Sequence, residues 1–471
     1  MIRLLRHGFS FFSVKKMVPH DKIAGRLPKT KEAYKRSFRM AWPCVVEAIL
    51  VSAIGAADTM MVGSLGAKAI AAVGLTNQPK FLLLAVIMSL NVGVTAVISR
   101  RKGEENVEGA NHFLRQSILL SLTLSLLLSV TGWIFAREIL LLAGAQADVI
   151  DDSVIYYKII AFNIFFTGIS LTINAAQRGV GNTKISMRTN VAANIVNVIL
   201  NYFLIGGHWI FPRLEVRGAA LATAIGGFVG MVLSIASLLY RTYFLDLRGK
   251  YSWKIDWKAL RPFFAISGSA AVEQVFMRIG FFSYSVIVAK LGTLAFAVHQ
   301  ICMHVANFSF AFGDGIGIGS SSLIGQSLGA KRPDNAVIYG NVGQRMAFVV
   351  STVLCVLFVI SRRYIVMAFN REAHIVSEGA FIILIMAATT HLQTSQAVFL
   401  SCLRGAGDTK FVAMISLVSI AVIRPLSALV LCFGLKLGLA GAWYALFFDQ
   451  AMRFYLSKRR FNGLGWTRLR L

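Results

Sequence analysis

The sequence predicts an all-α integral membrane protein, with twelve transmembrane helices in two pseudo-symmetric six-helix bundles. Composition points there first. Of the 471 residues, 56% are hydrophobic and only 15% charged, whereas soluble domains sit near ~45–50% apolar and ~25% charged. The second observation is recurrence of apolar windows of ~20 residues, enough to cross ~30 Å of hydrocarbon. The third is an internal repeat. Glu47 shifted by 226 positions falls on Glu273, LGAKAIAAVG from Leu65 on LGTLAFAVHQ from Leu291, and QRGVGNTK from Gln177 on LRGAGDTK from Leu403. One ungapped offset serves markers more than a hundred residues apart, so the chain is two copies of one unit.

Residues 1–40 read as a basic cytoplasmic arm, partly an interfacial helix. Its apolar run GFSFFSV from Gly8 is too short for a signal peptide and is followed by lysines. Spans of the first lobe (41–240) fall near 41–64, 76–99, 116–136, 155–176, 189–207 and 218–240. A basic cytoplasmic linker, 241–262, leads to the second lobe (263–457), with spans near 263–289, 298–323, 346–361, 377–400, 411–433 and 440–457. The basic tail 458–471 returns to the cytoplasm. Six spans per copy is an even number. Both copies therefore enter the membrane in the same orientation, related by an axis along its normal, and the substrate site is expected at the repeat interface.

The net charge of +27 raises nucleic acid as a partner, but placement argues against it. With both termini inside, most of the 48 Lys and Arg fall in cytoplasmic segments. That is the positive-inside bias, and a basic face beside anionic headgroups accounts for it. The five cysteines lie in or beside spans without CxxC or metal spacing. No Walker A, GxSxG, HExxH or strand–GxGxxG–helix pattern occurs, so ATP-driven, hydrolytic and structural-metal chemistry have no support. No cofactor is expected.

The stretch Pro43–Gly63 carries two acids, Glu47 and Asp58. Eleven residues at ~100° each bring them to within ~20° on one helix face. A carboxylate costs ~2.5–3.5 kcal/mol at the centre of a spanning helix even on the gentler scales, so such acids line polar interiors. Asp58 reads either as a structural acid paired with an amide or a Lys, or as a carboxylate that exchanges a proton, a sodium ion or an organic cation. In span five, Asn190, Asn194, Asn197 and Asn201 recur at steps of four, three and four, on one face. They are interhelical hydrogen-bonding glue or oxygen ligands for a hard cation beside Asp58; Asn197 and Asn201 lie deepest, and Thr223 opens span six. Glu47 and Glu273 occupy equivalent places, tying a bundle end together with an Arg or relaying protons. Asp314 sits among Gly313, Gly315, Gly317 and Gly319. Those glycines permit close helix approach, and the acid lines a cavity. Arg278 and Arg424 are expected to answer Glu273 or Asp314.

These residues resemble the multidrug and toxic-compound extrusion (MATE) family of bacterial transporters. The carriers are the Pro43…Asp58-Thr59…Gly63 run, GQSLGAKRPDNA from Gly325 and the paired RGVGNTK and RGAGDTK blocks, and the resemblance covers residues 38–457. It implies two six-helix lobes around a cavity that opens alternately to each side. Organic cations or drugs would leave as Na+ or H+ flows inward. It also implies Asp58 as the coupling carboxylate and possible Na+ site, with Asn197, Asn201 and Thr223 as partners. Glu47, Glu273, Asp314, Gln393 and Asn194 are further candidates for the substrate cavity, Asp314 from its place in the sequence alone, since it is not part of the family's core pattern. The chain departs from the pattern at Asn201, an Asp in some members, and at Gln393, where others carry an acid. Glu273 only approximates the family's span-seven acid. The resemblance further implies a multi-pass monomer among the lipids of the cell membrane. The competing readings are a flippase for lipid-linked saccharides or peptidoglycan precursors and an intramembrane transferase or hydrolase. The first needs several cavity cations and the second a clustered nucleophile or metal.

Overall fold

In the computed structural model, residues 11–147, 149–239, 244–249 and 253–469 are described. Twelve long helices make up the first repeat, α1 (Thr30–Gly63), α2 (Ala67–Gly103), α3 (Val107–Ile134), α4 (Ile150–Val180), α5 (Thr183–Gly206) and α6 (Glu215–Ala236), and the second, α7 (Trp257–Ala289), α8 (Thr293–Gly329), α9 (Pro333–Met367), α10 (Ala373–Ala406), α11 (Thr409–Gly434) and α12 (Gly438–Asn462). No strand occurs among the described residues. Eleven of these helices are long and apolar enough to cross a membrane. The twelfth, α12, falls short because it carries Asp449, Arg453 and a basic end; Asp449 and Arg453 are paired inside the fold, as shown below. The chain is a multi-pass membrane protein.

The sequence offset holds for the backbone. Shifted by 226, the starts of α2, α3 and α5 fall on those of α8, α9 and α11, and the ends of α1 and α4 on those of α7 and α10. Left-handed residues map the same way. Gly66 and Gly292 have φ of 101° and 106°, Gly181 and Gly407 have 100° and 90°, and Glu105 and Lys331 both have 56°. Glycine bears this conformation without a Cβ clash, which explains why GVGNTK and GAGDTK keep it where a helix ends.

The chain divides into two compact units, Ile49–Ser267 on one hand and Met1–Ala48 with Gly268–Leu471 on the other. The boundaries between these units lie inside α1 and α7, a few residues beyond the lobe edges expected at 41 and 263. Glycines account for part of this. On α8, a Cβ at Gly315 would come within 2.6 Å of the Val45 Cα, and one at Gly319 within 2.9 Å of the Ala41 Cα, so this half of α1 rests on bare backbone. In the other unit Gly93 of α2 holds Phe263 of α7 equally close, 2.7 Å from where a Cβ would stand.

Of the arm expected over residues 1–40, the described part forms two short 3-10 turns, Val14–Lys16 and His20–Lys22, before α1 begins at Thr30. Val14, Met17 and Val18 bury themselves in a core shared with Val337, Phe461 and Trp466. The buried carboxylate of Asp334 accepts from the Ala24 backbone N–H at 3.2 Å and from Arg332. Residues 1–10 lie outside the described residues.

Helix α11 is irregular. Two π-helical turns, Leu417–Ile423 and Val430–Gly434, flank Arg424–Leu429. Pro425 lacks an N–H, which removes one helical hydrogen bond and favours the wider turn before it. Gly315→Val should lower the melting temperature of the detergent-solubilised protein by the equivalent of ~1–3 kcal/mol of overpacking. Gly268→Ala, where a Cβ meets nothing within 4 Å, should not. Equal melting curves would refute close packing at Gly315.

Candidate functional site

In the unit formed by Ile49–Ser267, α1, α5 and α6 converge on Asp58. The Asn201 amide donates to Asp58 Oδ1 at 2.6 Å. A carboxylate only accepts, so the Asn197 amide turns its NH2 toward it. In that orientation Asn197 donates to both Asp58 oxygens, at 3.0 and 3.1 Å, and its Oδ1 accepts from the Thr223 N–H at 3.1 Å. The Thr223 hydroxyl donates to the Ala219 carbonyl at 2.9 Å. Positions 197 and 201 are one helical turn apart on α5, which is why both amides reach one carboxylate.

Two carbonyl oxygens near this carboxylate are spare. Asn201 is 1% exposed, yet its Oδ1 has no hydrogen-bond partner among the described residues, and neither has the buried Oδ1 of Asn163 on α4. Asp58, Asn163, Asn194, Asn197 and Thr223 line a pocket of about 190 Å³ with Gly226, Gly227 and Gly230 of α6. Oxygen ligands of this kind suit a hard cation. Lys80 of α2 lies close enough to act electrostatically on Asp58, so the carboxylate has a resident cationic neighbour as well as amide donors.

The asparagine stripe of α5 divides in two. Asn197 and Asn201 serve Asp58. Asn194 lines the same pocket but donates to the Asn190 carbonyl at 2.8 Å, and Asn190 Oδ1 accepts from Asn174 at 3.3 Å.

The other unit carries the counterpart of this site with different contents. Under the 226-residue shift Asp58 becomes Tyr284 and Thr223 becomes Asp449. Asp449, fully buried, accepts from Arg424 Nε at 3.1 Å, from Arg424 Nη2, from Arg453 Nη2 at 3.2 Å and from the Ser419 hydroxyl. Tyr284 donates to the Ala442 carbonyl at 2.9 Å, and the Arg424 guanidinium lies 5.9 Å from its ring centre. Ser419 and Arg424 would stand ~140° apart on a regular α-helix; the π turn between them lets both reach one carboxylate. A side-chain cation thus fills the second copy.

Glu273 sits in the same unit, 1% exposed. It pairs with Arg404 of the RGAGDTK block, through Nε at 3.2 Å and Nη2, and accepts from Ser416. Its partner is thus Arg404, and that of Arg424 is Asp449; neither spanning arginine pairing expected from the sequence, of Arg424 with Glu273 or with Asp314, occurs. Asp314 is exposed, makes no ion pair or hydrogen bond among the described residues, and interacts electrostatically with Arg404 and Arg453. Gln393 is buried with its Oε1 unpartnered, near Gly313. Glu47 is half-buried on α1, in the unit that holds Glu273 and not in that of Asp58. Sequence reasoning missed Lys80, Asn163, Asp449 and Arg453. The repeat itself signalled Asp449, since the shift from Thr223 lands on it.

Two six-helix repeats, with a carboxylate and spare oxygens inside one of them, define a membrane transporter rather than an enzyme. The chain belongs to the MatE family, whose pattern matches residues 43–203 and 269–430. It is similar to the uncharacterized transporter YisQ of Bacillus subtilis, 26% identical over 91% of this chain and 94% of that protein. It is also similar to a probable multidrug resistance protein NorM of Thermotoga maritima, 24% identical over 94% of this chain and 95% of that one. Among solved structures, the outward-facing conformation of a multidrug resistance MATE family transporter of the MOP superfamily shares the fold. Its TM-score is 0.85 at 19% identity, over 92% of this chain and 96% of that one.

Arg424→Met would leave Asp449 fully buried with Arg453 as its only cation. The expected loss is ~3–5 kcal/mol, the cost of breaking a buried pair from one side. Arg424→Met with Asp449→Leu should recover part of it, read from melting curves as a double-mutant cycle. Additive losses would mean the two side chains do not act as a pair.

Proposed function

We propose that this protein is a secondary-active exporter of small organic cations or drugs. It exchanges them for inward Na+ or H+ by alternating access, with Asp58 as the carboxylate that cargo and coupling ion share. The arrangement at Asp58 carries the reading. Its oxygens are held by Asn197 and Asn201, while the buried carbonyl oxygens of Asn201 and Asn163 have no partner of their own. A sodium ion would use that whole oxygen set, and a proton would use Asp58 alone. The relatives named as multidrug resistance proteins support drug export over the flippase alternative.

Energetics fit an antiporter. Expelling one positive charge against an inside-negative potential costs about 2.3 kcal/mol per 100 mV before any concentration gradient. An ion moving inward supplies this when one carboxylate cannot hold both cations at once. In the second repeat the Arg424 guanidinium already answers Asp449, so one coupling site per chain, at Asp58, is the reading we favour. Asp314 and Glu47 remain as candidate contacts for cationic cargo, with Gln393 and Asn194 as polar ones. Glu273, bound to Arg404, is assigned to holding its bundle together. The protein acts as a monomer in the cell membrane with both termini cytoplasmic, and lipids as its surroundings.

Efflux of a fluorescent organic cation from a pump-deficient bacterium tests this, with external Na+ and pH varied independently. Wild type should lower dye accumulation, and Asp58→Asn at equal membrane expression should not. If wild type moves no cation, or Asp58→Asn exports normally, the reading fails. Asn201→Ala should raise the ion concentration for half-maximal efflux about tenfold, the worth of one hydrogen bond to a charged group. An unchanged ion dependence would remove Asn201 from the site.

A further inference from the structure

A groove that the transport reading does not use opens between exposed apolar side chains, Phe38 and Val349 among them, of the unit containing Gly268–Leu471. It is bounded by α1, α8, α9 and the amino-terminal arm, has a volume of about 500 Å³, and exposes no polar surface. Phe38 and Trp42 of α1, Phe312 of α8 and Val349 of α9 form its walls, and Phe12 and Arg345 its end. Along α1 the lining extends from Tyr34 to Val46, a rise of ~18 Å at 1.5 Å per residue. That is close to half of the ~30 Å hydrocarbon core, the depth of one leaflet.

Polarity is confined to one end. Arg345 is the last charged residue before the uncharged run 346–361 of α9, so it marks where this helix enters the hydrocarbon. Its guanidinium lies 4.5 Å from the Phe11 ring centre. Its Nη1 and the neighbouring Tyr34 hydroxyl are both buried; the two side chains interact with each other, and neither atom makes a hydrogen bond of full geometry among the described residues. Buried donors whose hydrogen bonds are left incomplete are costly, more so on a charged group. Both donors stand at the mouth of a wholly apolar slot. Lys15 and Lys16, three and four residues beyond Phe12, are exposed.

We infer that this groove is a binding site for an anionic phospholipid of the leaflet that Arg345 faces. One acyl chain lies along Phe38, Trp42 and Val349 toward Phe312. The phosphate accepts from Arg345 Nη1 and the Tyr34 hydroxyl. Charge complementarity selects an anionic headgroup, because the guanidinium has no acidic partner among the described residues and phosphate oxygens match its planar donors. The slot's length and dryness select an acyl chain over a soluble anion. The lipid fastens the arm, through Phe11 and Phe12, to α1 and α9. This site is independent of Asp58 and of what the protein exports.

The test uses the full-length protein purified in a mild detergent, with binding read by native mass spectrometry and by melting temperature. Dioleoylphosphatidylglycerol should bind at about one retained lipid per chain and raise the melting temperature. Dioleoylphosphatidylcholine should do so at least ~10-fold more weakly, since it adds a cation to the headgroup. Arg345→Gln should weaken phosphatidylglycerol binding ~10-fold or more while leaving the lipid-free melting temperature within a few degrees. Val349→Trp keeps the guanidinium but fills the slot, and should remove binding of both lipids. Equal binding of the two lipids, or full phosphatidylglycerol binding by Arg345→Gln, overturns the headgroup assignment. Undiminished binding by Val349→Trp, or saturation of the site by glycerol phosphate alone, overturns the acyl-chain assignment.

Discussion

A carboxylate inside a bilayer must be answered, and the way each repeat answers its own acid shapes the rest of this protein. In one unit, Asp58 is answered mainly by dipoles. Two asparagine amides on successive turns of α5 point their NH2 groups at it, with Lys80 as a more distant charge. In the other, Asp449 is answered by full charges, Arg424 and Arg453. Dipoles lower the cost of a charge without cancelling it. Two guanidiniums more than balance it, so no net negative charge is left at the second site.

The two copies show how far one backbone can be put to different uses. Several helix ends, the left-handed pairs Gly66/Gly292 and Gly181/Gly407 and even the strained Glu105 and Lys331 positions coincide under one shift. The side chains at equivalent depth do not. Thr223 and Asp449 differ by a charge, as do Asp58 and Tyr284, and each pair differs in the opposite sense. The acid has moved from the first helix of the repeat to the last, and α11 has acquired π turns that carry Ser419 and Arg424 to meet it. An asymmetric function on a symmetric scaffold needs only such exchanges. The shared backbone keeps the packing, and a few interior residues decide which half holds a free charge.

Glycine plays a related part at the helix surfaces. Where Gly315 and Gly319 meet α1, helices approach to backbone distance, and Gly93 makes room for the Ser267 and Phe263 side chains of α7. With lipid outside, hydrophobic burial offers little drive for helices to associate, and close van der Waals contact supplies more of it. This is why α1 and α7 each belong to two units along their length, and why the unit boundaries fall inside helices instead of in the loops.

The helical membrane architecture, the two repeats and Asp58 with Asn197, Asn201 and Thr223 were legible in the sequence alone. Hydrocarbon thickness and backbone hydrogen bonding leave an apolar stretch of this length one common solution, and helical spacing sets which residues share a face. The partners were not legible. That Glu273 meets Arg404, that Arg424 meets Asp449, that Lys80 neighbours Asp58 and that the arm folds onto Phe461 and Trp466 depend on contacts between residues far apart in the chain. Periodicity places a side chain on a face of its own helix. Which charge stands opposite is set by how separate helices pack and rotate against one another, and only the tertiary structure decides that.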